Sequence, residues 1–502
     1  RIRLASEIMG QNLDLSILDQ TSEFGGSWET DEAVGSRSNS RFNEEHFDDD
    51  FSQISLSLSG DLSDNVEYIF TASSFDRDVN YTYDYSEYVE YYNYDGPTYT
   101  CDYYDYYYYY NISGCQDPRM SYTQIDNHER DSYEVRIQSK GDSGFQWILG
   151  AFKESSTRDY EIAYLWPGSN PGNLSFGVPN GQWWNLDNTR EEDVEAFFGE
   201  GSLSLNDKTK LTLGFRSYDQ DTMVDAKDGY FGVFDGVEKV FNSNDSGVVP
   251  KVNIAHNIND DVMVYGTYSE GFRASGINRV RPAQTAFIPE TYDSDYLESL
   301  EFGFKSTLAN GKLILNGAYF MMDWSDFQST TYNLAYSTVA FVDNVGNAEI
   351  NGLELDATYK PNDTLTLSGY VVSNDPSLSE DYYDVSGVLQ ANSGNRLAYV
   401  PELSYVLGLD KVLSIFGMPG YVSVDYSYTG DRYTSQANDL KLPSYAIANM
   451  RVGVESGNRS MEVFISNLTD ENGYQSRYDD FGDIRRTQNR PKVIGLRFKY
   501  RY

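Results

Sequence analysis

The stretch Arg490-Pro-Lys-Val-Ile-Gly-Leu-Arg-Phe-Lys-Tyr-Arg-Tyr502 closes the sequence on an aromatic residue. Within it Ile494, Leu496, Phe498, Tyr500 and Tyr502 alternate with Gly495, Arg497, Lys499 and Arg501. A strict period of two puts the apolar side chains on one face of a strand and the charges on the other. In a soluble sandwich the apolar face would meet a second sheet; in a membrane barrel it meets lipid while the charged face lines the lumen. The rest of the chain decides between the two.

Working outward, the same unit recurs: an alternating segment, a tight polar turn, another alternating segment, then a long polar loop. Ile54, Leu56 and Leu58 alternate with Ser55, Ser57 and Ser59 ahead of the turn Ser63-Asp-Asn65, and Leu211, Leu213 and Phe215 alternate with Lys210, Thr212 and Arg216 after Asn206-Asp-Lys208. Further tight turns are expected at Gly10-Gln-Asn12, Gly141-Asp-Ser-Gly144, Asn259-Asp-Asp261, Ala309-Asn-Gly-Lys312, Pro361-Asn-Asp363, Gly417-Met-Pro-Gly420 and Ser456-Gly-Asn-Arg459. Asn-Gly is among the strongest of such signals. Nine hairpins and the final strand make nineteen strands, with short turns at one end and long loops at the other. A sandwich has no reason to keep that asymmetry, whereas an outer-membrane barrel shows it, with periplasmic turns and extracellular loops.

Composition agrees with an all-β, transmembrane, antiparallel up-and-down β-barrel. Tyr numbers 44 and aromatics make up 15% of the chain, a bias toward strands and interfaces. No apolar run approaches the ~18 residues of a membrane helix, and a mean hydropathy of −0.55 is no objection, because a barrel strand is apolar on one face only. No Pro-rich or Ser-rich linker divides the chain, so residues 1–502 read as one domain.

The net charge of −39, from 77 acidic and 38 basic residues, argues against nucleic acid as a partner. A solvated acidic surface accounts for it more simply than specific cation sites. Cys101 and Cys115 lie close together in one polar loop, beside the tyrosine run Tyr103–Tyr110, and suit a single disulfide in an oxidising compartment. Such a bridge would stabilise by about 3 kcal/mol. Two cysteines with no adjacent histidine cannot complete a zinc site. Only three histidines exist. His46 reads as an exposed residue of the acidic loop Asn43–Asp50, His128 as the head of a strand and His256 as a strand residue near a short turn. No catalytic set, metal site or cofactor is expected.

Parity adds an expectation. A chain that ends at the short-turn end of an even-stranded barrel also begins there, yet nineteen strands place Arg1 at the long-loop end. Three more strands upstream would make 22, a size associated with plugged transporters. The terminal strand is then expected to show an unpaired edge.

From Tyr265 onward the motifs resemble the TonB-dependent receptor family. Tyr265-Gly-Thr-Tyr-Ser-Glu-Gly-Phe-Arg-Ala-Ser-Gly-Ile-Asn278, Leu297-Glu-Ser-Leu-Glu-Phe-Gly-Phe-Lys305, Asn347-Ala-Glu-Ile-Asn-Gly-Leu-Glu-Leu355 with Leu365-Thr-Leu-Ser-Gly369, and Asn467-Leu-Thr-Asp470 with Tyr474 fall in the family's order and spacing. The resemblance implies the barrel part of a 22-stranded outer-membrane transporter, about 19 strands of it, with the N-terminal plug and the first three strands absent from this sequence. It implies import of a scarce ligand such as an iron-siderophore, haem, cobalamin or an oligosaccharide, with a TonB-type energy-coupling protein acting through the plug. Gly495, Phe498, Tyr500 and Tyr502 are similar to the C-terminal signal read by the barrel-assembly machinery.

Ligand is expected at the long, extracellular loops, where Trp166, Trp183, Trp184, Tyr230, Phe231, Arg273 and Asn278 are the candidates. Trp183 and Trp184 could stack on a sugar or a catecholate, against the plainer reading of loop packing or an interfacial belt. Trp324 reads as girdle or loop-base packing. A passive porin, a surface adhesin and a barrel hydrolase are the competing function classes.

Overall fold

The computed structural model describes residues 2–8, 10–26, 29–87, 119–141, 143–165, 182–230, 239–278, 288–331, 340–480 and 483–501. Nineteen strands form one antiparallel sheet. In chain order the first ten are β1 (Ile2–Ile8), β2 (Gln11–Phe24), β3 (His46–Ser63), β4 (Val66–Asp84), β5 (Ser121–Ser139), β6 (Phe145–Leu165), β7 (Gln182–Asn206), β8 (Thr209–Tyr230), β9 (Lys239–Asn259) and β10 (Val262–Arg273). The remainder are β11 (Asp295–Leu308), β12 (Leu313–Ser325), β13 (Ala348–Asn362), β14 (Leu365–Leu378), β15 (Leu403–Ile415), β16 (Met418–Thr429), β17 (Tyr445–Ser456), β18 (Arg459–Ser466) and β19 (Val493–Tyr500). Each strand pairs with its sequence neighbours, from β1 with β2 through to β18 with β19. Among the described residues no pairing joins β1 to β19, so the sheet keeps two free edges, as strand parity led us to expect.

The nine short connections span two to five residues and all lie at one end. Where the tightest turns need left-handed backbone the sequence supplies it, as at Asn310-Gly311 (φ 57° and 80°) and Gly457 (φ 59°). One turn differs from expectation. The chain reverses at Phe416-Gly417 (φ 53° and 78°), and Met418, Pro419 and Gly420 already belong to β16. Pro419 is tolerated because its partner Ser414 lies on β15 alone, before pairing with β17 begins at Gly420.

Cross-strand pairing identifies the two faces. Ile494 pairs with Ile465, and the row continues through Met450, Val424, Leu409 and Leu367, all apolar. On the opposite side Leu13, Leu58, Phe70 and Val135 form an equivalent row. Ile494 is 67% exposed, Phe498 68% and Phe197 65%. An apolar band of that exposure matches a lipid-facing surface. The alternate residues face inward and are polar: Arg497 pairs with Glu462 at 2.7 Å, Asn449 donates to Asp425 at 2.6 Å and Asn316 to Asp356 at 3.1 Å.

Several strands run beyond the lipid. β7 has 25 residues, more than twice the roughly 10 that a tilted spanning strand needs. β5 and β8 likewise extend past the membrane band, from Ser121 and to Tyr230. Above the band the outer face no longer has to be apolar, so the alternation that marks a half-lipid strand is gone. Two histidines are reassigned with these extensions. His46 opens β3 and bonds Asp48 at 2.6 Å, and His128 lies inside β5, edge-on to Phe75 at 5.7 Å. His256 does sit near a short turn, within reach of Thr209 Oγ1 at 2.9 Å.

The long loops carry small sheets of their own, which periodicity did not reveal. Gln328–Thr331 pairs with Phe341–Asn344, and Glu29–Asp31 joins Tyr474–Asp480 and Asp483–Gln488 in a three-stranded sheet. Above β12–β14 the loops enclose an apolar core of Phe327, Val345, Ala348, Leu378, Tyr382 and Leu397, against which Trp324 packs. Leu397 and Phe327 lie in loops and build this core from there.

Candidate functional site: an aromatic and arginine wall inside the mouth

Because Ile54, Leu58, Tyr133, Val135 and Phe197 point to lipid, the residues one step away on β3–β7 point into the barrel. Followed toward the long-loop end, these inward positions form four stacked rows. The lowest runs Phe51, Arg77, His128, Arg158 and Arg190, each the cross-strand partner of the next. Above it run Asp49, Val79, Asp126, Tyr160 and Asn188. The third row is Phe47, Tyr81, Gln124, Ile162 and Leu186, and the fourth Tyr83, Tyr122, Tyr164 and Trp184.

Like charges set directly across neighbouring strands repel. Here carboxylates compensate, two of them diagonally across strands and one two residues along the same strand. Arg77 donates Nε and Nη2 to Asp49 at 2.8 and 2.7 Å, and Arg158 grips both oxygens of Asp126. Arg190 donates Nε to Glu192 at 3.0 Å. Bidentate guanidinium–carboxylate pairs are charge-assisted and fix geometry as well as energy. The lower wall is thus a rigid, charge-balanced lattice.

The aromatic residues of the upper two rows form a continuous chain of ring contacts. Phe24 lies 5.7 Å from Phe47, which stacks on Tyr81 at 5.9 Å. Tyr81 contacts Tyr83 at 4.9 Å and Tyr122 at 5.8 Å, Tyr122 meets Tyr164 at 5.2 Å, and Tyr164 meets Trp184 at 5.3 Å. Ile162 and Leu186, buried beside Trp184, anchor the end of the stack. Such a surface offers flat apolar area with phenolic hydroxyls at its edge, which suits aromatic or glycan ligands.

The sequence-chosen residues fall in three places. Trp184 is in the wall, and its strand partner is Tyr230, the last residue of β8; Trp183 falls within β7. Arg273 and Asn278 lie together at the base of the next loops. Arg273 donates to Asp295 at 2.9 Å and to the Gln328 carbonyl at 2.7 Å, with its guanidinium 4.9 Å from the Trp324 ring. Asn278 donates to the Val342 carbonyl at 2.6 Å and accepts from the Val342 amide at 2.8 Å, fastening the 328–344 hairpin. Trp166, Phe231, Tyr502, the tyrosine run and both cysteines, Cys101 and Cys115, lie outside the described residues. In the terminal strand Phe498 and Tyr500 are exposed on the lipid side, and Gly495 leaves room for the Phe464 ring, which would stand 2.2 Å from an added Cβ.

Most of the wall was not picked out from sequence. Arg77, Arg158 and Arg190 are scattered singly, and only strand register lines them up. Continuing the period of two upward from each short turn would have placed Tyr81, Tyr122 and Tyr164 on the inner face.

A family profile described as "TonB dependent receptor-like, beta-barrel" matches residues 6–468. The chain belongs to that family. It is therefore an outer-membrane β-barrel of the TonB-dependent type, with its long loops extracellular. The pesticin receptor of Yersinia enterocolitica is 22% identical over 358 residues, 70% of this chain and 48% of that protein. This TonB-dependent-receptor barrel thus spans about half the length of that relative. Among solved structures, the ferric yersiniabactin uptake receptor FyuA from Yersinia pestis superposes with a TM-score of 0.76 at 14% identity, covering 99% of this chain and 69% of that one. The siderophore receptor PiuA from Acinetobacter baumannii gives 0.73 at 13%, covering 98% and 72%.

Proposed function

We propose that the chain is the barrel of an outer-membrane active transporter that captures a scarce iron-siderophore chelate at its extracellular mouth and delivers it to the periplasm. The observation that carries this is the inward wall: a rigid arginine–carboxylate lattice topped by a continuous aromatic stack, at the entrance of a lipid-embedded barrel. Such a wall holds a flat, partly aromatic ligand by stacking and hydrogen bonding, without covalent chemistry. The reading has the ligand bound and released unchanged, so the protein is no enzyme. The names of the relatives, a ferric yersiniabactin uptake receptor and a siderophore receptor among them, support iron chelates over haem, cobalamin or oligosaccharide.

The same reading supplies the rest of the machine. The free edges of β1 and β19 would expose unpaired backbone to lipid, which the bilayer does not tolerate. Strands from outside residues 1–502 fill that gap in the proposed receptor, and a plug preceding them engages a TonB-type energy-coupling protein. The terminal strand serves the barrel-assembly machinery.

The test is uptake of radiolabelled ferric siderophores by cells lacking their own receptors and expressing the full-length protein. Saturable uptake that stops when a protonophore collapses the inner-membrane potential is expected. Non-saturable, protonophore-insensitive flux would instead establish a passive porin and overturn the proposal.

A further inference from the structure

Every arginine of the wall stands beside a carboxylate. The four rows and the two beneath them carry four arginines, Arg77, Arg130, Arg158 and Arg190, and four carboxylates, Asp49, Asp126, Glu154 and Glu192. Arg77 lies 2.7 Å from Asp49 and Arg130 4.0 Å from Glu154, while Arg158 and Arg190 hold Asp126 and Glu192. His128, strand partner of both Arg77 and Arg158, is largely uncharged at neutral pH. The inner wall therefore carries no net charge.

The members of each pair are not equally placed. The side chains of Arg77 and Arg158 are 42% and 49% exposed, those of Asp49 and Asp126 only 18% and 11%. A visitor meets guanidinium N–H groups whose charge is cancelled from behind. Nε and Nη2 of both arginines are spent on the carboxylates, and Nη1 has no protein partner among the described residues. Such a group still donates a hydrogen bond to an oxygen.

The outer face of the same strand extensions is acidic. Asp50 stands across from Asp78, Asp76 from Glu129, Asp193 from Asp221 and Glu195 from Asp219. Among the described residues only Glu195 of these eight has a basic partner, Lys153 at 2.7 Å. Like charges set opposite one another sum to a negative potential around the mouth. Protein between the two faces screens less than water, so that potential reaches the inner wall, where no excess of cations offsets it.

We propose that the wall selects iron chelates by charge, admitting those that are uncharged or cationic overall and turning away polyanionic ones, with Asp49 and Asp126 as specificity-determining residues. An anion entering the mouth gives up hydration and climbs a negative potential, and the paired arginines return hydrogen bonds without net attraction. An uncharged chelate receives the same hydrogen bonds without that penalty. The inference rests on the receptor reading for its ligand, but the field of the wall can be measured without transport.

Two measurements test it. Tyr122→Cys places a thiol in the wall, and its rates with a cationic and an anionic methanethiosulfonate are compared on full-length protein in detergent, with the unaltered protein as background. The cation-to-anion ratio should exceed that of a small free thiol and approach it at high salt. Adding Asp49→Asn and Asp126→Asn, which uncovers two arginines, should lower the ratio at least tenfold. A ratio below that of the free thiol, or one that the added substitutions leave unchanged, would overturn the proposal. Should that variant fail to fold, Glu192→Gln, which uncovers Arg190 alone, should move the ratio in the same direction. The second measurement is uptake of one ferric trihydroxamate with its terminal amine free, acetylated or succinylated, beside a trianionic ferric tris-catecholate. The free-amine and acetylated forms should half-saturate at least tenfold lower than the succinylated one, and preference for either anion would overturn the charge rule while leaving the transporter standing. No uptake of any chelate would count against the transporter, and the thiol ratio would still decide the charge rule.

Discussion

Arg486 of the last long loop and Thr30 of the first stand as β-partners, with Thr30 Oγ1 donating to the Arg486 carbonyl at 3.2 Å. Around them Arg477 pairs with Glu32 at 2.8 Å, Arg37 with Asp470 at 3.0 Å, and the Tyr478 hydroxyl donates to Glu29 at 2.8 Å. These loops belong to β2–β3 and β18–β19, on either side of the two free edges. The mouth is therefore bridged by loop pairing above the place where the membrane sheet stops. Exposed ion pairs contribute about 0–1 kcal/mol each, so backbone pairing carries the clasp and the charges set its register. Arg477→Ala alone should leave loop stability within about 1 kcal/mol. Arg37→Glu with Arg477→Glu, which opposes like charges at both ends, should make the 25–45 segment sensitive to external protease on intact cells. Unchanged protection in the double reversal would remove the charges from the account.

The Asp126–Arg158 pair gives a sharper energetic test. Asp126 has 11% of its side chain exposed and Arg158 49%, so removing the arginine strands a mostly buried carboxylate. Arg158→Ala should cost about 2 kcal/mol in urea unfolding, and adding Asp126→Ala should recover part of that loss. A double variant less stable than Arg158→Ala by the full cost of Asp126→Ala would show that the two side chains act independently.

Loop charge also sets a pH response. Lys441 and Arg396, at 2.9 and 2.8 Å from Asp431, hold its carboxyl below the ordinary value of 3.8. A depressed folded pKa favours the folded loops above the unfolded value, and that contribution fades as pH falls through the folded one. Asp431→Asn should therefore raise hydrogen exchange in 431–442 at pH 7, and the difference from the unaltered protein should shrink and vanish as the pH falls through the lowered pKa of Asp431. A difference that persists in acid would assign the effect to hydrogen bonding alone.

Nineteen strands and their turns were legible because each crosses lipid, where one face is obliged to be apolar; Leu409 and Ile494 announce themselves by that rule. Arg158 and Tyr122 obey no such rule. They stand on strand extensions with water or loops on both sides, and their meaning comes from register with Arg190 and Tyr164 on other strands. Asn188 was illegible for a further reason: its surroundings include Ile277 and Phe341, which come from loops more than eighty residues away in sequence. Trp184 and Asn278 were reached from sequence by residue type alone, and the structure gives them different surroundings, an aromatic stack and a loop fastening.

The two faces of β15 can be told apart by one pair of substitutions. Leu409 lies in the apolar outer row and Asp410, its neighbour, faces inward. Leu409→Arg should destabilise the folded barrel by about 2–4 kcal/mol, the cost of a cation near the bilayer midplane. Asp410→Arg should change it by less than about 1 kcal/mol, since the inner face meets water. Reversible unfolding in lipid vesicles measures both. Equal costs would mean that the strand is not half-embedded.

Within the proposed transporter, the ring stack should govern affinity more than turnover. Each aromatic contact contributes about 0.5–1.5 kcal/mol beyond its buried area, so Tyr122→Ala, which interrupts the stack between Tyr81 and Tyr164, should weaken capture about 5–10-fold. The concentration of ferric siderophore for half-maximal uptake should rise by that factor, with maximal uptake near that of the unaltered protein once surface levels are matched. Tyr122→Phe keeps the ring and should restore most of the affinity. A fall in maximal uptake with unchanged half-saturation would place Tyr122 in passage through the barrel instead of capture, and the wall would then be a conduit for the ligand and not its binding surface.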